Sequence, residues 1–238
     1  MDFLVKFSTT YTYFVGVIIL FFVWSIVFLK KGINRREMIL GGLVFGVAAV
    51  LIGMKYATHD YWSPQYLFPS IHIEDFLYGF LFGGVCTQIY FFFFKVRERT
   101  TQKHHPFFVI MAFIIFIFSF IFLTGIMKLN SIVAHIIPPL LIGLYIIYKN
   151  HRYVKIQIWS GFFAAIITFV TFKILIFINP IFVINTWYLH NLTGIIISGI
   201  PLEEYLFAFS AGFGTSLFYE FVTGKELIFR KNKLLLTL

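Results

Sequence analysis

The chain has 238 residues, of which 60% are apolar and only 12% charged, with a mean hydropathy of +0.89 and a formal net charge of +9. A soluble domain carries about 25% charged residues, so the composition excludes a soluble globular protein and points to the membrane. At roughly 20 apolar residues per crossing of a hydrocarbon core, the length holds about eight crossings at most, with no room for a soluble domain.

Seven apolar runs follow in chain order: 11–29, 38–54, 76–94, 106–127, 131–148, 156–178 and 205–222. In lipid only helices and closed barrels satisfy every backbone polar group, and runs of this length without two-residue alternation are helices. The predicted fold class is therefore all-α, a polytopic membrane protein with seven transmembrane helices. The first run is too long for a signal-peptide core and lacks a small-residue cleavage site, so it reads as a retained span. The lone Cys86 sits inside the third run, which leaves no disulfide framework and no cysteine metal site.

Basic residues alternate between the runs. Lys30, Lys31, Arg35 and Arg36 follow the first, Lys55 the second, Lys95, Arg97, Arg99 and Lys103 the third, and Lys128 the fourth. Lys149, Arg152 and Lys155 follow the fifth, and Lys225, Arg230, Lys231 and Lys233 the last. With Lys6 at the start and Lys173 inside a run, fifteen fall on one side, three on the other and one within the membrane. Positively charged loops stay cytoplasmic, so the pattern predicts a cell-membrane protein with its N-terminus outside and its C-terminus inside. The +9 is then a topology signal, with attraction to anionic lipid as a by-product, and no nucleic-acid partner is needed.

Shifting the chain by 129 residues lays 71–77 (IHIEDFL) on 200–206 (IPLEEYL), and seven of the twenty-two positions from Ile71/Ile200 to Phe92/Phe221 are identical. Trp62 and Trp187 precede the two acidic pairs at similar distances. The reading is two three-helix repeats, 1–95 and 131–238, joined by a linker transmembrane helix within 96–130. Three crossings invert the chain and the linker helix restores its direction, so the repeats are parallel, related by a two-fold axis along the membrane normal.

Of ten acidic residues, Asp2, Glu37, Asp60, Glu98 and Glu226 lie in loops or at span ends and Glu220 near the inner end of the last span. Glu74, Asp75, Glu203 and Glu204 open the third and seventh spans. Carboxylates in a first helical turn complement the helix dipole at roughly 0.3–1 kcal/mol each, which accounts for one acid. Adjacent residues, however, point about 100° apart, so one of each pair faces the bundle unless both lie among the headgroups. A charge at the bilayer centre costs roughly 2.5–3.5 kcal/mol even on lenient scales, which makes a functional site the default reading. Such a set of acids can donate a proton at one place and accept it at another. Trp62, Trp187, Tyr205 and their aromatic neighbours, besides forming an interfacial belt, can shelter a cation. His72, two residues before Glu74, is a candidate relay. No dinucleotide loop, phosphate-binding lysine motif or metal-spaced histidine pair occurs, so neither cofactor nor metal is predicted.

The segment Pro201-Leu202-Glu203-Glu204 and its second copy His72-Ile73-Glu74-Asp75 resemble the membrane-integral lycopene cyclase family, whose three-helix units each carry a Pro-x-Glu-Glu or Pro-x-Glu-Asp motif. The resemblance covers both repeats and implies a fused two-repeat enzyme acting on a lipid-soluble carotenoid. Such an enzyme protonates a linear end group, closes a ring through a carbocation and releases a proton. It further implies Glu203 and Glu204 as the principal catalytic carboxyls and Glu74 and Asp75 as the complementary set, with Trp62, Trp187, Tyr205 and His72 around the substrate. The longer apolar approach to Pro201 predicts deeper burial of the second pair, and His72 stands where the family has proline. The alternative is a proton-coupled transporter built on the same parallel repeat. A retinal protein is excluded by the absence of lysine from 205–222, and prenyl transfer by the absence of Asp-rich magnesium motifs.

Overall fold

A computed structural model describes residues 2–94, 96–100 and 104–229. Lys95, Lys103, Arg230, Lys231 and Lys233 of the expected basic loops lie outside the described residues. A short helix α1 (Asp2–Thr10) leads into α2 (Thr12–Leu29). Helix α3 (Arg35–Ile52) starts on Asn34, whose side chain accepts the Glu37 amide, and runs through a π-helical turn, Gly53–Ala57, into α4 (Thr58–Asp60). After a loop, α5 (Ile73–Gln88) and α6 (Tyr90–Phe93) are followed by strand β1 (Val96–Thr100). Helix α7 (Phe107–Ile121) ends in a second π-helical turn, Phe122–Ile126. Then come α8 (Ser131–Lys149), capped by Asn130, and α9 (Val154–Ile178). The last part holds α10 (Phe182–Thr186), the two-residue strands β2 (Ile196–Ile197) and β3 (Ile200–Pro201), α11 (Leu202–Thr215), α12 (Phe218–Thr223) and β4 (Lys225–Phe229).

The all-helical expectation holds, with two short antiparallel ladders added, β1 on β4 and β2 on β3. Four helical stretches are long and apolar enough to cross a membrane: Thr12–Leu29, Phe107–Ile126, Ser131–Lys149 and His151–Ile178. Their outward faces carry bare hydrophobics such as Phe107, 79% exposed, and Phe177, 88% exposed, far beyond the patches a soluble monomer tolerates. The other three predicted spans differ for identifiable reasons. Helix α3 opens on Arg35, Arg36 and Glu37, while α5 and α11 are 16 and 14 residues long, open on acid pairs and break before α6 and α12.

Packing groups the helices into two triplets. Helix α5 lies against α2 and, most extensively, α3, and α11 lies against α8 and α9. Both closest pairs meet on glycine. A Cβ on Gly42 of α3 would sit 2.6 Å from the Phe80 carbonyl oxygen, and one on Gly161 of α9 would sit 2.8 Å from that of Phe209. Such small-residue contacts let apolar helices approach where no hydrophobic force drives them together.

Two contacts join the triplets symmetrically. Strand β4 begins 129 residues after β1, and the register pairs Val96 with Phe229 and Thr100 with Lys225. At the opposite end Trp62 and Trp187 form an antiparallel bridge, with the Ser63 amide donating to the Thr186 carbonyl at 2.7 Å and the Tyr188 amide to the Tyr61 carbonyl at 2.9 Å.

Candidate active site

All four carboxyls of the acid pairs are buried, Glu74 and Asp75 at 0% and 2% exposure, Glu203 and Glu204 at 4% and 5%. Both pairs are buried, and exposures this close do not rank one pair as deeper than the other. The loop between α4 and α5 folds over the first pair, and 192–202, expected to be a long apolar approach, holds the β2–β3 hairpin and the first residue of α11.

Consecutive residues at a helix start diverge, and each pair splits the same way. The first acid of each turns back onto its own loop. Glu74 Oε1 accepts the Leu67 and Phe68 amides at 2.5 and 3.1 Å, and Glu203 Oε1 accepts the Thr193 amide at 2.7 Å. The second acid faces a cavity of ≈ 130 Å³ between the triplets, lined by Asp75 and Glu204 together. Gly53, at the head of the first π-helical turn, leaves the room Asp75 needs, since a Cβ there would lie 3.1 Å from Oδ2.

The two cavity acids are held differently. Asp75 receives the Tyr13 hydroxyl on Oδ1 at 2.8 Å and the Tyr66 hydroxyl on Oδ2 at 2.9 Å, with His72 Nδ1 3.1 Å from Oδ2. Glu204 receives both of its donors, the Tyr61 hydroxyl and Trp187 Nε1, on the single oxygen Oε1, the latter at 2.8 Å. Among the described residues Oε2 has no hydrogen bond. Burial first, then Glu204 for Tyr61 and Asp75 for Tyr66, holds these two phenols above the ordinary range, so they act as donors.

The wall of the cavity is aromatic. Trp62 and Trp187 lie 5.6 Å apart between ring centres, Tyr13 meets Trp62 edge-on at 4.6 Å, and Phe172 meets Trp187 at 5.4 Å. Of the residues singled out from sequence, Asp75, Glu204, Trp62 and Trp187 therefore come together in one cavity. His72 stands behind Asp75 as its hydrogen-bond partner. Tyr205 points away, donating to the Ile197 carbonyl at 3.2 Å, and Glu74 and Glu203 brace loops. Tyr13, Tyr61 and His135 also line the cavity; no spacing marks them in the sequence, although Tyr61 adjoins Trp62.

His72 also takes a left-handed backbone, φ 51°, where Pro201 has φ −58°. Proline is locked near −65°, so this conformation of the first loop admits His72 where proline could not stand.

A family model for lycopene cyclase matches residues 130–222, which include Glu203 and Glu204 but not the first acid pair. No curated protein and no solved structure matches the chain.

Proposed function

We propose that this chain, a lycopene cyclase family enzyme by the match over residues 130–222, cyclises carotenoid end groups in a cavity between two three-helix units. Carotenoid cyclisation is the chemistry of that family. The observation that carries the specific reading is the meeting of Asp75 and Glu204, one from each acid motif, in a single aromatic-walled cavity.

The two carboxyls differ in what they can do. Glu204 keeps Oε2 clear while Tyr61 and Trp187 fix Oε1, so Oε2 carries the proton that attacks the terminal double bond of a linear end group. Asp75 has donors on both oxygens and serves as the fixed negative charge opposite the developing cation, an arrangement that requires no reorganisation as the cation forms. A neighbouring double bond closes the ring, and the faces of Trp62 and Trp187 shelter the cation without trapping it. Ring closure moves a proton in and another out with no net oxidation, so no redox cofactor and no metal enters the scheme.

In the same reading the helices around α3, α5 and α11 cross the membrane with the four longer stretches, giving seven spans. The repeats 1–95 and 131–238 are parallel about a two-fold axis, with the linker helix in 96–130. The symmetric β1–β4 register and the paired tryptophans support this arrangement, and the alternation of basic loops supports a cell-membrane protein with its N-terminus out and its C-terminus in. Substrate reaches the cavity from surrounding lipid.

The test is expression in a lycopene-accumulating host followed by chromatography of extracted pigments. Conversion of lycopene to cyclic product is expected. Unchanged lycopene at normal membrane abundance would refute the reading.

A further inference from the structure

The cyclisation proposed above, on which this inference rests, ends with loss of a proton from the ring-closed cation. Glu204 has given its proton by then, and Asp75 has a donor on each oxygen. A third titratable side chain lines the same cavity. His135 lies on α8 one turn beyond its Asn130 cap, with Nδ1 2.7 Å from the Ser131 carbonyl oxygen. A carbonyl only accepts, so Nδ1 carries the hydrogen and Nε2 of the neutral ring holds the lone pair. Ser131 is itself fixed, its amide and hydroxyl donating to the Asp60 carboxylate at 2.7 and 2.6 Å. The aromatic rings of Phe116, Phe120 and Phe207 pack around it, with centres 5.4 to 6.5 Å away. Nε2 has no hydrogen-bond partner among the described residues. An oriented imidazole whose tautomer is set from behind, and whose basic nitrogen is left without a protein partner in the cavity that Asp75 and Glu204 also line, is a base awaiting a proton from the cavity's occupant.

We propose that His135 Nε2 takes the proton that ends cyclisation. The C–H bond adjacent to the cationic carbon breaks, its electron pair becomes the ring double bond, and the proton bonds to Nε2. The imidazolium then returns a proton to the Glu204 carboxylate, which restores both groups and leaves the carotenoid isomerised with no atom gained or lost. Because the base selects which adjacent C–H is cleaved, His135 also fixes the position of the ring double bond.

The experiment compares lycopene conversion by membranes carrying wild type, His135→Ala, His135→Gln and Glu204→Gln, each normalised to protein abundance. His135→Ala is expected to lose about 100-fold in rate, to regain at least about tenfold with added imidazole, and to regain nothing with pyrrole, a ring of the same size without a basic nitrogen. His135→Gln, which hydrogen-bonds but is not basic, is expected to be as slow as His135→Ala, and it carries the test if His135→Ala does not accumulate. Wild-type rates in the two His135 variants, or rescue by pyrrole equal to that by imidazole, would show a packing role and overturn the assignment while leaving the cyclase reading intact. If wild type itself leaves lycopene acyclic, the cyclase reading falls and this inference with it.

Discussion

Glu203 and Glu204 are neighbours with the same side chain, yet one accepts a backbone amide of its loop and the other two side-chain donors beside a cavity. That difference separates the effects of their substitutions. Glu204→Gln retains an acceptor for Tyr61 but no transferable proton, so cyclic product should fall by about 100-fold or more at normal membrane abundance; retained wild-type conversion would show that the carboxyl is structural. Glu74→Gln and Glu203→Gln keep an acceptor oxygen for the loop amides and should leave conversion within a few-fold of wild type. Glu74→Ala removes that acceptor and strands the Leu67 and Phe68 amides, at about 1–3 kcal/mol, which should appear as reduced thermal stability in detergent with little change in rate per folded molecule. His72 supplies a backbone test. His72→Pro cannot reach φ 51° and should sharply lower abundance, whereas His72→Asn, which tolerates the left-handed region, should accumulate normally; equal abundance of the two would contradict the local conformation.

At the scale of elements, α3–α5 and α9–α11 are the tightest contacts, and each closes over a glycine facing a phenylalanine carbonyl. An alanine Cβ at Gly42 or Gly161 would lie 2.6 or 2.8 Å from that oxygen, closer than any unforced contact, so the helix must shift. Overpacking of this kind costs about 1–3 kcal/mol. Gly42→Ala and Gly161→Ala should each lower the midpoint of thermal unfolding in detergent, and unchanged midpoints for both would show that the helices separate freely. The glycines were visible in the sequence, but nothing local distinguishes them from Gly125, whose Cβ would meet little. The two ladders were likewise illegible. Strands β1 and β4 are five-residue segments in basic loops, without the apolar alternation that announces a strand, and they are strands because they pair with each other.

For the whole molecule, the composite cavity makes each half incomplete. Asp75 and Trp62 come from one triplet, Glu204, Trp187 and His135 from the other. A chain divided within 101–106 and expressed as two pieces should cyclise lycopene only when both are present in one membrane, and activity from either piece alone would disprove a shared site. A reporter fused after Leu238 should be active on the cytoplasmic side; activity confined to the outer side would reverse the proposed orientation.

The sequence by itself determined the membrane class, the helical architecture and the two acid motifs, because apolar content, run length and the rarity of intramembrane carboxylates are properties of the chain that no packing arrangement can alter. It also marked Asp75, Glu204, Trp62 and Trp187 among a wider set. Only the tertiary structure decided which acid of each pair faces the cavity and which binds its own loop, since the answer depends on loops folding back onto α5 and α11. Likewise one donor to each cavity acid, Tyr13 to Asp75 and Tyr61 to Glu204, comes from 62 and 143 residues away in the chain, and His135 joins them from a third position. Side chains so far apart share no spacing or periodicity; they meet because the two triplets close on each other, and that closure is a property of the packed molecule.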